Sequence, residues 1–221
     1  MEKNNLVSYS LDFESFLIGK IEGIDRIILH CAVARGDFDD KSDVDILVIT
    51  DNINKVINIE NYEIFLISED NLEKKLSKSL YLASAIKEIV PLMNQNLLKK
   101  FKNINIKINI NELVKEIERI LRINKDIIDS AKEHKEKLLD GTAYSLVLRL
   151  RELYLLKCIM ENRKPNKKEF LSLIDKDLYD AYVRIKGNEK EVNKVNIKSA
   201  EDIYNLIKKW LNELKEQKQQ L

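Results

Sequence analysis

Hydrophobic positions follow two different rhythms along this chain. Before about residue 110 they come in short, β-branched runs: Ile24–Cys31 "IDRIILHC", Val44–Thr50 "VDILVIT", Tyr62–Ser68 "YEIFLIS" and Ile104–Ile110 "INIKINI". Runs of that length and composition predict strands. An amphipathic helix is expected ahead of them over 12–23, ending near Gly23, and another over 71–93, at least as far as Pro91. After residue 110 the period becomes helical. The segment 112–139 keeps apolar residues at Leu113, Ile117, Ile120, Leu121, Ile127 and Ile128. Further helices are predicted over 143–160, after Gly141, and over 166–174, opened by the capping-box-like pair Asn166 and Glu169. Two more are expected over 178–187 and 199–217, the last with Ser199 as its N-cap. The pattern predicts an α/β (α+β) domain with a small mixed sheet over 1–110. An all-α helical bundle over 111–221 is expected to pack against it and wall one side of a cleft.

Composition narrows the class. The chain has 221 residues, 44% of them hydrophobic, so it is long enough for a substantial core. Only five Gly and two Pro interrupt it, in keeping with long helices. Two cysteines, Cys31 and Cys158, make neither a disulfide framework nor a zinc ligand set. The formal net charge is +1, which announces no nucleic-acid or membrane partner. Residues 111–221 hold 24 Lys and Arg against 20 Asp and Glu, so the helical half is slightly basic and the first half slightly acidic. The N-terminal stretch lacks a cationic region followed by an apolar one, and no apolar run reaches membrane-spanning length. A cytoplasmic location is expected.

The stretch "HCAVARGDFDDKSDVDILVIT", His30 to Thr50, departs from both rhythms. Asp43 and Asp45 are one residue apart at the mouth of a strand, so they share a face. Like charges that close need compensation, and a hard divalent cation such as Mg²⁺ supplies it while keeping positions for water and phosphate. A third acid on a neighbouring strand would complete a two-metal clamp, and Glu63 is the only acid within the next strand-like run. Taken alone the tetrapeptide Ser42-Asp43-Val44-Asp45 is weak evidence, because Asp is common in turns and at strand starts.

The longer order is more specific. Ala34-Arg35-Gly36, an acidic turn, Ser42-Asp43-Val44-Asp45 and the apolar run Ile46–Ile49 resemble the DNA polymerase β-like nucleotidyltransferase superfamily. Its minimal prokaryotic members carry Gly-Ser-x-Ala-Arg-Gly, a short spacer, then Ser-Asp-x-Asp. The segments 144–170 and 177–187 look like the helical C-terminal region of archaeal members. The resemblance implies that Asp43, Asp45 and a third acid, Glu63 here, bind two Mg²⁺ ions. It implies that Ala32, Arg35, Gly36 and Ser42 line the nucleotide site. A nucleoside triphosphate would lose pyrophosphate as its nucleoside monophosphate passes to an acceptor hydroxyl. The acceptor stays open between an RNA end, a protein side chain and a small alcohol or antibiotic, and a homodimer stays open too.

One departure stands out. Cys31-Ala32 occupies the place of the family's Gly-Ser. The glycine lets backbone approach phosphate closely, and the serine gives it a hydroxyl. Losing a hydrogen bond to a charged phosphate costs about 1.5–3 kcal/mol. A catalytically degenerate relative, binding a nucleotide or a protein without turnover, is therefore the alternative. Arg149, Arg151 and Lys186 are further phosphate or acceptor candidates, each weighed against an ordinary helix ion pair or helix-end role.

Overall fold

The computed structural model describes residues 27–29, 44–59, 62–76, 78–91, 99–101 and 109–219. The helix expected over 12–23 and most of the strand expected over 104–110 lie outside them. The chain divides into two compact units, Met1–Ile108 and Asn109–Leu221.

The first unit is α+β, built on a five-stranded mixed sheet. Its strands are β1 (Ile27–Leu29), β2 (Val44–Thr50), β3 (Lys55–Ile59), β4 (Tyr62–Ser68) and β5 (Val90–Pro91), in the spatial order β3-β4-β2-β1-β5. β2 and β4 run parallel, and every other pairing is antiparallel. The chain leaves β2, skips one strand position to form β3 at the edge, and returns as β4 between them. A short link makes this jump. The Thr50 hydroxyl accepts from the Ile53 N–H at 3.0 Å, and the Asn54 side-chain oxygen accepts from the Ser68 N–H at 3.1 Å. Thus the start of β3 is pinned to the end of β4.

Two helices follow β4, α1 (Glu69–Leu76) and α2 (Leu80–Glu88), where the apolar period predicts one. Ser79 interrupts them. Its hydroxyl accepts from the Leu82 N–H at 3.2 Å and caps a new helix, a use of serine that competes with helix continuation. Leu72 and Leu76 of α1, Ile86 of α2, Ile89 and Phe101 pack with Leu47, Ile49 and Ile67 into one core. The alternate residues Ile46, Val48, Ile64 and Leu66 are also buried, so β2 and β4 are covered on both faces except at Phe65, which is 38% exposed. That explains their near-continuous apolar runs.

The second unit contains α3 (Ile110–Glu133), α4 (Asp140–Met160), α5 (Lys167–Leu171), α6 (Lys176–Lys186) and α7 (Ile197–Gln219). α4 packs against α3, α6 and α7, and its buried residues ring it on all sides. Asn109 caps α3 by accepting from the Glu112 N–H at 3.2 Å, so Asn109 and Ile110 belong to a helix start rather than to a strand. The capping pair at α5 forms, with Asn166 accepting from the Glu169 N–H at 3.0 Å. Its reciprocal half is rerouted: the Asn166 N–H donates to the Tyr154 hydroxyl at 2.9 Å, and that hydroxyl donates to the Glu169 carboxylate at 2.8 Å. Ser199 is not the N-cap of α7. The helix begins at Ile197, Asn196 accepts from the Lys198 N–H at 2.9 Å, and Ser199 is buried inside the first turn. A single antiparallel bridge, Leu138 to Val195, ties the entries of α4 and α7.

Candidate functional site

The parallel register of β2 and β4 sets Asp45 opposite Glu63. Both are the second residue of their strand, and parallel neighbours lie about 4.8 Å apart. Their side chains share a face, because residues in register on adjacent strands point the same way. On β3, Asn58 is in register with Glu63, so Asn58, Glu63 and Asp45 form one polar row across three strands. Asn58 carries no signal in the sequence. Lys55–Ile59 is an exposed edge strand, and with little to bury it shows no strong apolar period.

The same face changes character one step further along. Leu47, Ile49 and Ile67 are sealed under α1 and α2, whereas Asp45 and Glu63 are half-buried. Carboxylate oxygens of the kind that Asp45 and Glu63 carry are the donors Mg²⁺ prefers. Among the described residues, no group of three or more His, Cys, Asp or Glu side chains is placed to hold a metal. Asp43 lies outside those residues, as do Ala32, Arg35, Gly36, Ser42, Cys31 and His30.

The other candidates belong to the second unit and have structural partners there. Arg149 sits 3.1 Å from the Glu152 carboxylate and 3.9 Å from that of Glu116. The Arg151 guanidinium donates to the Tyr182 hydroxyl at 3.3 Å, and Lys186 closes α6. His134 caps the end of α3, with its Nδ1 2.8 Å from the Ser130 carbonyl. Cys158 is a buried free thiol.

Two buried carboxylates in this unit have no local sequence signature. Asp140, the first residue of α4, is fully enclosed. It accepts from Arg184 Nε at 2.7 Å and from a second guanidinium nitrogen at 3.0 Å. It also accepts from the N–H groups of Val192 at 3.0 Å and Asn193 at 3.2 Å. The Arg184 hydrogen bonds hold its carboxyl below the usual carboxylate range, helped by the two backbone donors and opposed by burial. Glu152 goes the other way: burial pushes its carboxyl up to about 7, and the nearby Arg149 charge only partly opposes this. The contact is close without being a hydrogen bond, since among the described residues neither Arg149 Nε nor Glu152 Oε2 finds a hydrogen-bonding partner.

No helix among the described residues is long and apolar enough to cross a membrane. No protein-family model matches the chain, and no characterised protein sequence does at a significant level. A crystal structure described as a nucleotidyltransferase-like protein from Exiguobacterium sibiricum 255-15 is similar at 14% sequence identity and a TM-score of 0.39, covering 93% of this chain and 75% of that one. A likeness that distant establishes neither a reaction nor the residues that would perform it.

Proposed function

We propose that the chain is a Mg²⁺-dependent nucleotidyltransferase that moves a nucleoside monophosphate from a nucleoside triphosphate to an acceptor hydroxyl. The observation that carries this reading is the register of Asp45 with Glu63 at the mouths of two parallel strands, one of which continues the Ser42-Asp43-Val44-Asp45 motif. Asp43, Asp45 and Glu63 would hold the metal, with Arg35, Gly36 and Ser42 towards the nucleotide. When bound, the metal neutralises phosphate charge and lowers the pKa of the acceptor hydroxyl. The chain's own part is to fix the carboxylates on the sheet, where they need no rearrangement as charge develops. Asn58, exposed at the edge of the row, can orient Glu63 or donate to a phosphate oxygen.

The test combines isothermal titration with ATP, CTP, GTP and UTP in Mg²⁺ and an assay of pyrophosphate release. Wild type binds at least one triphosphate and releases pyrophosphate when the acceptor pool contains its partner. Asp45→Asn lowers release by roughly 100- to 1,000-fold or more, the range for losing a principal electrostatic group, without unfolding the chain. Glu63→Gln weakens Mg²⁺-dependent binding in parallel. A chain that binds no triphosphate, both as it stands and with Cys31→Gly and Ala32→Ser together, is not a transferase.

The Cys31-Ala32 pair favours one second reading, a degenerate relative that binds nucleotide without turnover. In that case the double substitution tightens binding by roughly ten- to a hundred-fold, the worth of a hydrogen bond to a charged group, while pyrophosphate release stays absent in both forms.

A further inference from the structure

α3 buries Val114, Ile117, Leu121 and Ile128 in the core of the helical unit, yet a second apolar strip runs beside that face. Ile123 is 50% exposed and Ile127, one turn on, 38%. Leu139, just past the helix, is 55% exposed. A groove of about 390 Å³ continues the strip, lined among others by Asp126, Ile127, Ser130, Leu138 and Leu139.

Several charges on α3 are partnered within the unit: Glu116 with Arg149, Glu118 with Lys215, Lys125 with Asp129, and Lys132 with Glu201. Arg119 and Asp126, which flank Ile123, make no ion pair among the described residues. At 100° per residue both lie on the same side of Ile123, Arg119 about 40° and Asp126 about 60° round the helix. Ile120 and Ile127 lie on the other side.

We infer that this face of α3 is the interface of a two-fold dimer in which the α3 helices of two copies pack antiparallel about Ile123. A two-fold axis across two antiparallel helices keeps each residue on its own side of the seam and reverses its height. Arg119 of one copy then meets Asp126 of the other within about 1.5 Å along the axis. On the opposite side Ile120 meets Ile127, and Ile123 meets its own equivalent in the centre. A parallel arrangement exchanges the two sides of the seam and sets Arg119 and Asp126 against the partner's Ile120 and Ile127, burying charge against apolar side chains, so the charge pattern selects the antiparallel one. About three helical turns are engaged, with Leu139 and the groove extending them. That is smaller than the roughly 1,600 Å² of a standard interface, so the dimer is a weak one with a dissociation constant in the micromolar range.

The charge pair makes the arrangement testable without disturbing the core. Sedimentation velocity of the full chain over about 1–500 µM covers the dissociation constants an interface of this size allows. A concentration-dependent dimer is expected, and Ile123→Glu shifts its dissociation constant upward by at least ten-fold. Arg119→Asp alone and Asp126→Arg alone each weaken self-association, because each creates two like-charge contacts per dimer. Mixing the two variants in equal amounts restores association as a heterodimer, since both of its contacts are then opposite-charge pairs. Circular dichroism checks that each variant keeps its helix content. A wild type that stays monomeric over the range, a dimer that none of the substitutions moves, or a mixture that fails to recover association overturns the inference.

Discussion

The two units hold their carboxylates in opposite ways. In the sheet unit, Asp45 and Glu63 are set side by side by strand register, half-exposed, with like charges facing each other. In the helical unit, Asp140 is buried and saturated by four donors from Arg184, Val192 and Asn193. One arrangement concentrates negative potential; the other consumes it. A carboxylate pair set side by side costs stability unless a cation or a hydrogen-bond donor compensates it, whereas a saturated buried carboxylate joins parts of the fold. Asp140 does the latter: it links the start of α4 to the end of α6 and to the loop before α7.

The sharpest way to break this contrast is to remove one carboxylate from each side. Asp140→Ala leaves Arg184 mostly buried with its ion-pair partner gone and two backbone donors unmet. The unfolding transition of the helical unit in urea should lose about 3–5 kcal/mol. Glu63→Gln in metal-free buffer should change the sheet unit by no more than about 1 kcal/mol, with stabilisation the expected sign, because it relieves a like-charge contact. The Asp140 effect also has a pH signature. Its folded carboxyl is held below its ordinary value of 3.8, so its contribution is fully present above that pH and is lost as pH falls through the lowered folded value. The wild-type and Asp140→Asn stabilities should therefore converge on acidification. Two curves that stay parallel would remove Asp140 as the link.

Glu152 sharpens the comparison from inside the helical unit. Its carboxyl is raised from 4.5 to about 7, so the folded chain holds a proton more tightly than the unfolded one. The sign is opposite to that of Asp140: stability is highest below pH 4.5 and is lost as pH rises from there to about 7. Glu152→Gln should stabilise the chain by roughly 1–3 kcal/mol at pH 8 and by almost nothing at pH 4. A destabilising substitution at pH 8 would mean that the Arg149 contact outweighs the cost of burial.

The smallest effect belongs to a helix end. Lys135 follows α3 with φ at 55°, where the Glu136 N–H closes the helix on the Ala131 carbonyl at 2.9 Å. Glycine takes that conformation without a Cβ penalty, so Lys135→Gly should gain about 0.5–1 kcal/mol in thermal or urea unfolding. Asn occupies the other positive-φ positions among the described non-glycine residues, 162, 188 and 193, where its short side chain tolerates that backbone.

Much of the fold is written locally in the chain. The apolar runs at 44–50 and 62–68 mark β2 and β4, because strands buried on both faces must be apolar throughout. The long helical periods mark α3, α4 and α7, and Asn166 with Glu169 marks a helix start three residues apart. Where a local signal had a rival, composition was a poorer guide. Ser79 splits a continuous helical period, Asn196 caps the helix that Ser199 sits inside, and β3 hides in an edge segment with no face to bury.

The sequence by itself determined which residues could serve: a carboxylate at the mouth of β2, an acid within the next buried strand, and helices rich in charge. Tertiary structure decided what each of them meets. The jump that puts β3 at the edge is what brings β4 beside β2, and only that parallel pairing sets Asp45 against Glu63. Likewise, Asp140 reads in sequence as one more acid before a glycine. It becomes buried because Arg184 and the 192–193 backbone, more than forty residues away, close around it. Alternation and helical period are short-range consequences of backbone geometry, so a few neighbouring residues reveal them. Register and charge pairing are contacts between distant segments. They are fixed only when burial of the whole core selects one way of bringing those segments together.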